Sequence, residues 1–219
     1  MLFPSSLFYD GVGGENMTVV LLICAVPPKG APFVTIAADS RSTGEDGEVL
    51  SNNAKKIFDA GNAYMSTSGS ASNEYREDVA RILKEQPEGT IEEKMHALQV
   101  ILGEDKRDYN LQMNVGLIQF DSTGNPQMGV CGVNPEGEDV TRGPYTYDKN
   151  IPNVEHIYFG ETRTEEIERL REELSDRLVA GKINRTSVEE AAKWFIRKVA
   201  NIYPETVNSV IQIKTLRFK

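Results

Sequence analysis

The distribution of hydrophobic positions in the first third of the chain predicts two pairs of β-strands. Residues 18–26 form a β-branched, apolar run that predicts a buried strand, and residues 33–38 predict a second one. The turn sequence Pro27-Pro28-Lys29-Gly30 between these runs predicts a hairpin. Residues 56–58 and 63–67 predict another strand pair, which is interrupted by a short polar turn.

Hydrophobic residues at helical spacing follow this strand-rich part and predict a first pair of helices. Ser72 or Asn73 can cap the first helix, because a short polar side chain satisfies the free N–H groups at a helix start. Thr90 and Glu93 have the spacing of a capping box, which predicts that a second helix begins there.

A second pair of helices is predicted near the C-terminus. Residues 164–180 carry leucine and isoleucine at every third or fourth position, which indicates an amphipathic helix. Residues 187–202 predict another helix, and the spacing of Ser187 and Glu190 suggests that a capping box opens it.

The remaining apolar runs predict strands between and after the two helix pairs. They cover residues 113–120, 127–133, 154–159 and 207–218. Strands that come in hairpins and alternate with helix pairs indicate an α+β fold rather than a doubly wound α/β fold.

Composition and charge exclude several classes of function. The chain has 219 residues, with 24 Lys and Arg against 33 Asp and Glu, so its formal net charge is −9. Because phosphate binding requires clustered cations, no nucleic-acid partner is expected. The apolar runs are too short to cross a bilayer, so no membrane partner is expected either.

Two cysteines and two histidines make a disulfide scaffold or a zinc site unexpected, and no metal or organic cofactor is implied. The first residues lack the pattern of a secretory signal, which favours a cytoplasmic location.

Four residues in the first third could act together in catalysis. Thr18 opens the first predicted strand, Asp39 follows the second, Lys56 begins the third, and Gly69 follows the fourth. A threonine hydroxyl attacks only when a base takes its proton, and a free α-amine on the same residue has a suitable pKa of about 7.7–8.0. A buried Asp39 would hold Lys56 charged and in place, and the Gly69 N–H could stabilise an oxyanion.

These segments resemble the β-type subunits of the proteasome and its bacterial relatives, which are N-terminal nucleophile (Ntn) hydrolases. The resemblance is carried, in this order, by TVVLLICAV, VTIAADSRST, NNAKKIF and YMSTSGS, and it extends over residues 17–219. It implies a four-layer αββα sandwich and a threonine nucleophile exposed by removal of the preceding residues. It also implies that Thr18 is the nucleophile, that Asp39 and Lys56 form the polar pair beneath it, and that Gly69 donates to the oxyanion.

The resemblance also implies how the chain is organised and which partners it has. Residues 1–16 would be an N-terminal extension, either a propeptide or an artefact of the assigned start site, and residues 17–219 would form one Ntn-hydrolase-like domain. The expected substrate is a peptide or a small amide. Assembly into a homo-oligomeric ring or dimer is expected, and an ATPase that unfolds substrates is a possible partner.

Two alternatives to a threonine peptidase remain open. The chain has Glu161 where the family places a serine and Asn208 where it places an aspartate, and these differences favour a catalytically silent structural subunit of the same fold. The other alternative is an Ntn amidase that acts on a small molecule.

Overall fold

The computed structural model describes residues 18–43, 48–86, 89–109, 112–133, 139–160 and 164–218. The proposed extension at residues 1–16 and the position of Glu161 lie outside these residues. The helices are α1 (Asn73–Lys84), α2 (Ile91–Tyr109), α3 (Glu165–Ala180) and α4 (Arg185–Ile202). The strands are β1 (Val20–Val26), β2 (Phe33–Asp39), β3 (Ser42–Thr43), β4 (Val49–Ser51), β5 (Ile57–Asp59), β6 (Ala63–Ser70), β7 (Gln112–Phe120), β8 (Pro126–Val133), β9 (Asp139–Thr146), β10 (Asn153–Phe159) and β11 (Ile211–Arg217).

The strands of the described chain form three antiparallel sheets. One sheet has the order β10-β1-β2-β11, a second has the order β5-β6-β7-β8-β9, and β3 pairs with β4 in a two-stranded ribbon. The expected β1–β2 hairpin is present, with Val20 opposite Ala38. These sheets and four helices confirm the predicted α+β class.

Three hydrophobic clusters show how the helices and the two larger sheets are layered. Alternate residues of β1, such as Leu21 and Ile23, pack with apolar residues of α3 and α4. The intervening residues of β1, such as Leu22, pack against Ile118 and Val130 of the second sheet. The opposite face of that second sheet packs against α1 and α2. Since successive side chains of a strand point to opposite faces, the two sheets lie face to face between two pairs of helices.

Local sequence signals explain most of the helix starts. Ser72 Oγ accepts a hydrogen bond from the Tyr75 N–H (3.1 Å) at the start of α1. The predicted capping box of α2 is confirmed, because the Thr90 N–H donates to Glu93 Oε2 (2.8 Å) and the Glu93 N–H donates to Thr90 Oγ1 (3.2 Å).

The predicted capping box at Ser187 is wrong. Helix α4 begins two residues earlier than predicted, because Asn184 Oδ1 accepts a hydrogen bond from the Ser187 N–H (3.1 Å) and is the true cap. The β3–β4 ribbon and the edge strand β9, none of whose residues is buried, were not predicted from the sequence.

Among the described residues, no helix combines the length and the apolar character needed to cross a bilayer.

Candidate functional site

Thr18 lies just before β1, at the end of the sheet where β2 and β10 both finish. Val20 is opposite Ala38 of β2 on one side and Phe159 of β10 on the other. Gly160, the residue after β10, approaches the Thr18 carbonyl so closely that a Cβ at this position would lie 1.5 Å from the oxygen. Gly160 also has a φ of +124°, so glycine is required here for both space and backbone conformation.

The side chain of Lys56 reaches Thr18 from the neighbouring sheet. Lys56 Nζ donates a hydrogen bond to Thr18 Oγ1 over 2.5 Å, and only 2% of Lys56 and 3% of Thr18 are exposed. The backbone that carries Lys56 is held by Gln212 of β11, since the Lys56 N–H donates to Gln212 Oε1 (3.0 Å) and Gln212 Nε2 donates to the Ala54 carbonyl (2.6 Å). The ammonium is therefore fixed against the threonine hydroxyl.

Asp39 is fully buried and binds the backbone on both sides of the site. Its Oδ1 accepts a hydrogen bond from the Val19 N–H (3.0 Å), and its Oδ2 accepts one from the Arg41 N–H (2.8 Å). The carboxylate interacts with Lys56 through space, without forming a direct ion pair. Asp39 therefore fixes the peptide after Thr18 and supplies negative charge, while Gln212 and Thr18 position Lys56.

Gly69 lies near the end of β6 with a φ of +103°, a conformation that favours glycine. Its carbonyl accepts a hydrogen bond from Arg76 Nη2 (2.8 Å), which comes from the first turns of α1. The preceding residue, Ser68, has its Cβ 3.4 Å from the position that a Cβ on Gly160 would occupy. The end of β6 thus lies beside Gly160 and the Thr18 carbonyl.

The charges at the site alter one another's protonation. Burial, together with the nearby charge of Arg76, lowers the pKa of Lys56 to about 8, although Asp39 opposes this change. Burial raises the pKa of Asp39, and the charge of Lys56 and the backbone hydrogen bonds oppose that increase. Burial lowers the pKa of Arg76 to about 10. Lys56 can therefore lose or regain its proton close to neutral pH.

Asn208 binds two segments next to the site. Its Oδ1 accepts a hydrogen bond from the Ser40 N–H (3.1 Å), and its Nδ2 donates to the Asn52 carbonyl (2.9 Å). Ser40 Oγ also donates to the Asn52 carbonyl (2.7 Å). Asn208 therefore connects the end of β2 to the segment that leads to Lys56, because its amide oxygen accepts one hydrogen bond and its amide nitrogen donates the other.

Arg76 also belongs to this site and was not predicted from the sequence. Arg76 is only 5% exposed and lies on the same helix face as Val79, Ala80 and Leu83. Its spacing from these apolar residues was the signal that it faces the interior, because residues three and four apart share a helix face.

The residues brought together here can support attack by a hydroxyl group. An ammonium at 2.5 Å stabilises negative charge on Thr18 Oγ1. The pKa of this ammonium is about 8, which is close to the pH at which a general acid or base operates. Among the described residues, no histidine is hydrogen-bonded to Thr18 or Lys56, so another group must accept the proton of the hydroxyl.

No protein-family model matches the chain, and a search of curated proteins found no match either.

Proposed function

We propose that this protein is a threonine-type amide hydrolase with the proteasome-like Ntn fold, acting on peptides. Thr18 is the nucleophile, and its own α-amine is the base. The observation that carries this proposal is the 2.5 Å contact of Lys56 Nζ with Thr18 Oγ1 in a buried site. Two facing sheets between helix pairs agree with the αββα sandwich that the resemblance implies.

The proposed reaction begins when Thr18 Oγ attacks the carbonyl carbon of the amide. The hydroxyl proton moves to the free α-amine, and the Lys56 ammonium lowers the energy of the developing charge on the oxygen. The Gly69 N–H stabilises the oxyanion of the tetrahedral intermediate. The protonated amine then donates to the leaving nitrogen, the C–N bond breaks, and an ester to Thr18 remains. Water attacks this ester and regenerates the hydroxyl.

This mechanism requires the Thr18 nitrogen to be an amine. In the 219-residue sequence that nitrogen belongs to the peptide bond with Met17. Cleavage of this bond, or translation from Met17 followed by removal of the methionine, would free it. Asp39 would then keep the following peptide in place, because its Oδ1 accepts the Val19 N–H.

A catalytically silent subunit of the same fold is the second candidate. The observation that favours it is Asn208, whose amide binds Ser40 and Asn52 and supplies no carboxylate to the site. The third possibility, a small-molecule amidase, would use the same nucleophile and differ only in its substrate.

The test is to prepare the chain with Thr18 as its first residue and treat it with a peptide epoxyketone, which reacts with the hydroxyl and the amine of an N-terminal threonine. Intact mass should show one adduct, and peptide amides should be hydrolysed. Thr18→Ala should abolish both. Lys56→Met should slow hydrolysis by roughly 10²–10³-fold, the usual effect of removing a group that stabilises charge in the transition state.

Lys55→Met is the matched control, because the neighbouring Lys55 side chain is 57% exposed and pairs with Glu77 on the surface. It should leave both the adduct and the rate unchanged. A chain that begins at Thr18 but forms no adduct and hydrolyses no amide would contradict the proposed enzyme and favour the silent subunit. Hydrolysis of small amides alone would favour the amidase.

A further inference from the structure

Gln212 of β11 points from the first sheet toward the second. Its neighbours Ile211 and Ile213 pack with the hydrophobic cluster that joins this sheet to α3 and α4. Because successive side chains of a strand point to opposite faces, Gln212 is directed to the other face. Ala38 of β2, which lies opposite Gln212, packs on that face between the two sheets and is also opposite Val20. A polar side chain therefore lies between the sheets at the end where β1 begins.

The Gln212 amide binds the chain segment that leads into β5 of the second sheet. Its Oε1 accepts a hydrogen bond from the Lys56 N–H (3.0 Å), and its Nε2 donates to the Ala54 carbonyl (2.6 Å). These two backbone groups lie on either side of Lys55, so the amide pairs with the segment as a peptide group of a neighbouring strand would. The Ala54 N–H donates in turn to the Ser40 carbonyl (2.8 Å), just after β2. This segment is therefore bound to the first sheet, although β5 belongs to the second.

The position of the Lys56 ammonium is unfavourable for its charge. Its Nζ lies 2.5 Å from Thr18 Oγ1, and burial together with the charge of Arg76 lowers the pKa of Lys56 to about 8. Within the described residues, the carboxylate of Asp39 binds backbone N–H groups rather than the ammonium. A lysine ammonium is strongly hydrated and carried on a flexible stem, so it would gain hydration by withdrawing from this site. Contacts of the lysine backbone must therefore hold it there.

We infer that Gln212 is a positioning residue for the proposed reaction: by binding the backbone on both sides of Lys55, its amide joins the two sheets and holds the Lys56 ammonium against the Thr18 hydroxyl. This role rests on the proposed function, to which it adds a residue that touches neither the substrate nor the reacting atoms. The effect of Gln212 on the rate should therefore act entirely through Lys56.

The first measurement is the NMR titration of Lys56 in the 219-residue chain, which requires no activity. The Nζ resonance of isotope-labelled lysine is assigned by its loss in Lys56→Met. Gln212→Met, which is similar in length but makes no hydrogen bonds to the backbone, should release the segment and let water reach the ammonium. The pKa of Lys56 should then rise from about 8 toward 10.5. Gln212→Asn keeps an amide but is too short to span both backbone groups, so it should change the pKa in the same direction.

Thr215→Val is the matched control on the same strand. Thr215 Oγ1 contacts Thr35 Oγ1 (3.1 Å) and donates to Glu189 Oε1 of α4 (2.8 Å), so this substitution also removes side-chain hydrogen bonds of β11. Alternation places Thr215 on the helix side of the sheet, the face opposite to Gln212. The control should lower Tm about as much as Gln212→Met, yet it should leave the Lys56 titration and the rate unchanged.

The second measurement is a double-mutant cycle on hydrolysis, with chains that begin at Thr18. Gln212→Met should lower kcat by roughly tenfold to a hundredfold with little change in KM, which is the cost of displacing a reacting group by about 1 Å. In the Lys56→Met background the same substitution should change kcat by less than about threefold, because Gln212 then has no ammonium to position. The fall in rate as Lys56 loses its proton should also move to higher pH in Gln212→Met.

The outcomes separate the role of Gln212 from the proposed function. An unchanged Lys56 titration in folded Gln212→Met and Gln212→Asn, or an equal loss of rate with and without Lys56, would overturn the positioning role and leave the hydrolase intact. An equal rise of the Lys56 pKa in Thr215→Val would overturn it as well, because any loosening of β11 would then suffice. If the chain that begins at Thr18 neither hydrolyses amides nor forms the epoxyketone adduct, the hydrolase and the role of Gln212 in it are overturned together, whatever the titration shows.

Discussion

The pH dependence of folding stability tests the burial of Lys56, and Lys56→Met is the perturbation. Methionine keeps most of the aliphatic chain but carries no charge. In the folded protein, burial and the charge of Arg76 lower the pKa of Lys56 from 10.5 to about 8. Between these two values the unfolded state binds more protons than the folded state. The stability of the wild-type protein should therefore rise with pH in this window, relative to the variant.

The size of this effect follows from the change in pKa. Each pKa unit corresponds to about 1.4 kcal/mol, so a fall from 10.5 to about 8 makes charged Lys56 destabilising by about 3 kcal/mol in full. About 2 kcal/mol of this penalty should disappear between pH 7 and pH 10, because deprotonation of the folded state is then nearly complete and that of the unfolded state is not. The penalty is essentially complete at pH 7 and begins to fall as the pH rises through 8.

The assay is urea unfolding followed by circular dichroism at several pH values from 7 to 10, for the wild type, Lys56→Met and Lys55→Met. The difference between the wild type and Lys56→Met isolates this lysine. This is necessary because other buried groups act in the opposite direction: the pKa of Cys131 is raised to about 12, so its contribution to stability falls as the pH rises. Lys55→Met should show no such change. A constant difference between the wild type and Lys56→Met from pH 7 to pH 10 would refute the reasoning.

Two further substitutions test other buried contacts. Lys94 is fully buried, and its Nζ donates to the carbonyls of Leu83 (2.9 Å), Gln86 (2.8 Å) and Ala60 (3.2 Å). Lys94→Met should therefore lower the free energy of unfolding by about 3 kcal/mol, or roughly 6–12 °C in Tm. Lys198→Met, at an exposed position, should not change Tm. Gly160→Ala should lower the free energy of unfolding by about 4 kcal/mol or more, because the alanine Cβ would overlap the Thr18 carbonyl. An unchanged Tm would contradict the close contact between Gly160 and the Thr18 carbonyl. Gly103→Ala, on α2 with open space around its Cβ, is the control and should be neutral or slightly stabilising.

The elements that the sequence predicted are those with a strong local signal. The apolar runs gave β1 and β2 because these strands are buried on both faces, and the spacing of Thr90 and Glu93 predicted the start of α2. The start of α4 was misplaced because Asn184 and Ser187 are both good caps three residues apart, and only the structure shows that the Asn184 side chain accepts the hydrogen bond. Strand β9 was missed because it is an edge strand with mostly accessible residues, so no alternation of buried and polar positions marks it.

Buried cations were the main omission at the level of single residues. Arg76 and Lys94 both lie on the buried face of a helix, yet a charged residue in an amphipathic pattern is usually interpreted as solvated. What makes burial possible is a set of backbone carbonyls supplied by distant segments, such as those of Ala60 and Gln86 around Lys94 Nζ. No local pattern encodes such partners, because the tertiary fold brings them together.

At the candidate site, the sequence predicted which residues come together but not the contacts that each one makes. The sequence brought Thr18, Asp39 and Lys56 together, but it suggested that Asp39 would position Lys56 directly. Asp39 instead accepts the N–H groups of Val19 and Arg41, which uses both carboxylate oxygens and leaves its charge to act on Lys56 through space. This arrangement matters for the proposed reaction, because a direct ion pair would hold the lysine pKa higher. With Arg76 nearby and Asp39 not paired directly with the ammonium, the pKa of Lys56 is about 8, close to that of a free threonine amine. In the proposed mechanism, a free Thr18 amine and Lys56 would then titrate as a coupled pair beside the hydroxyl.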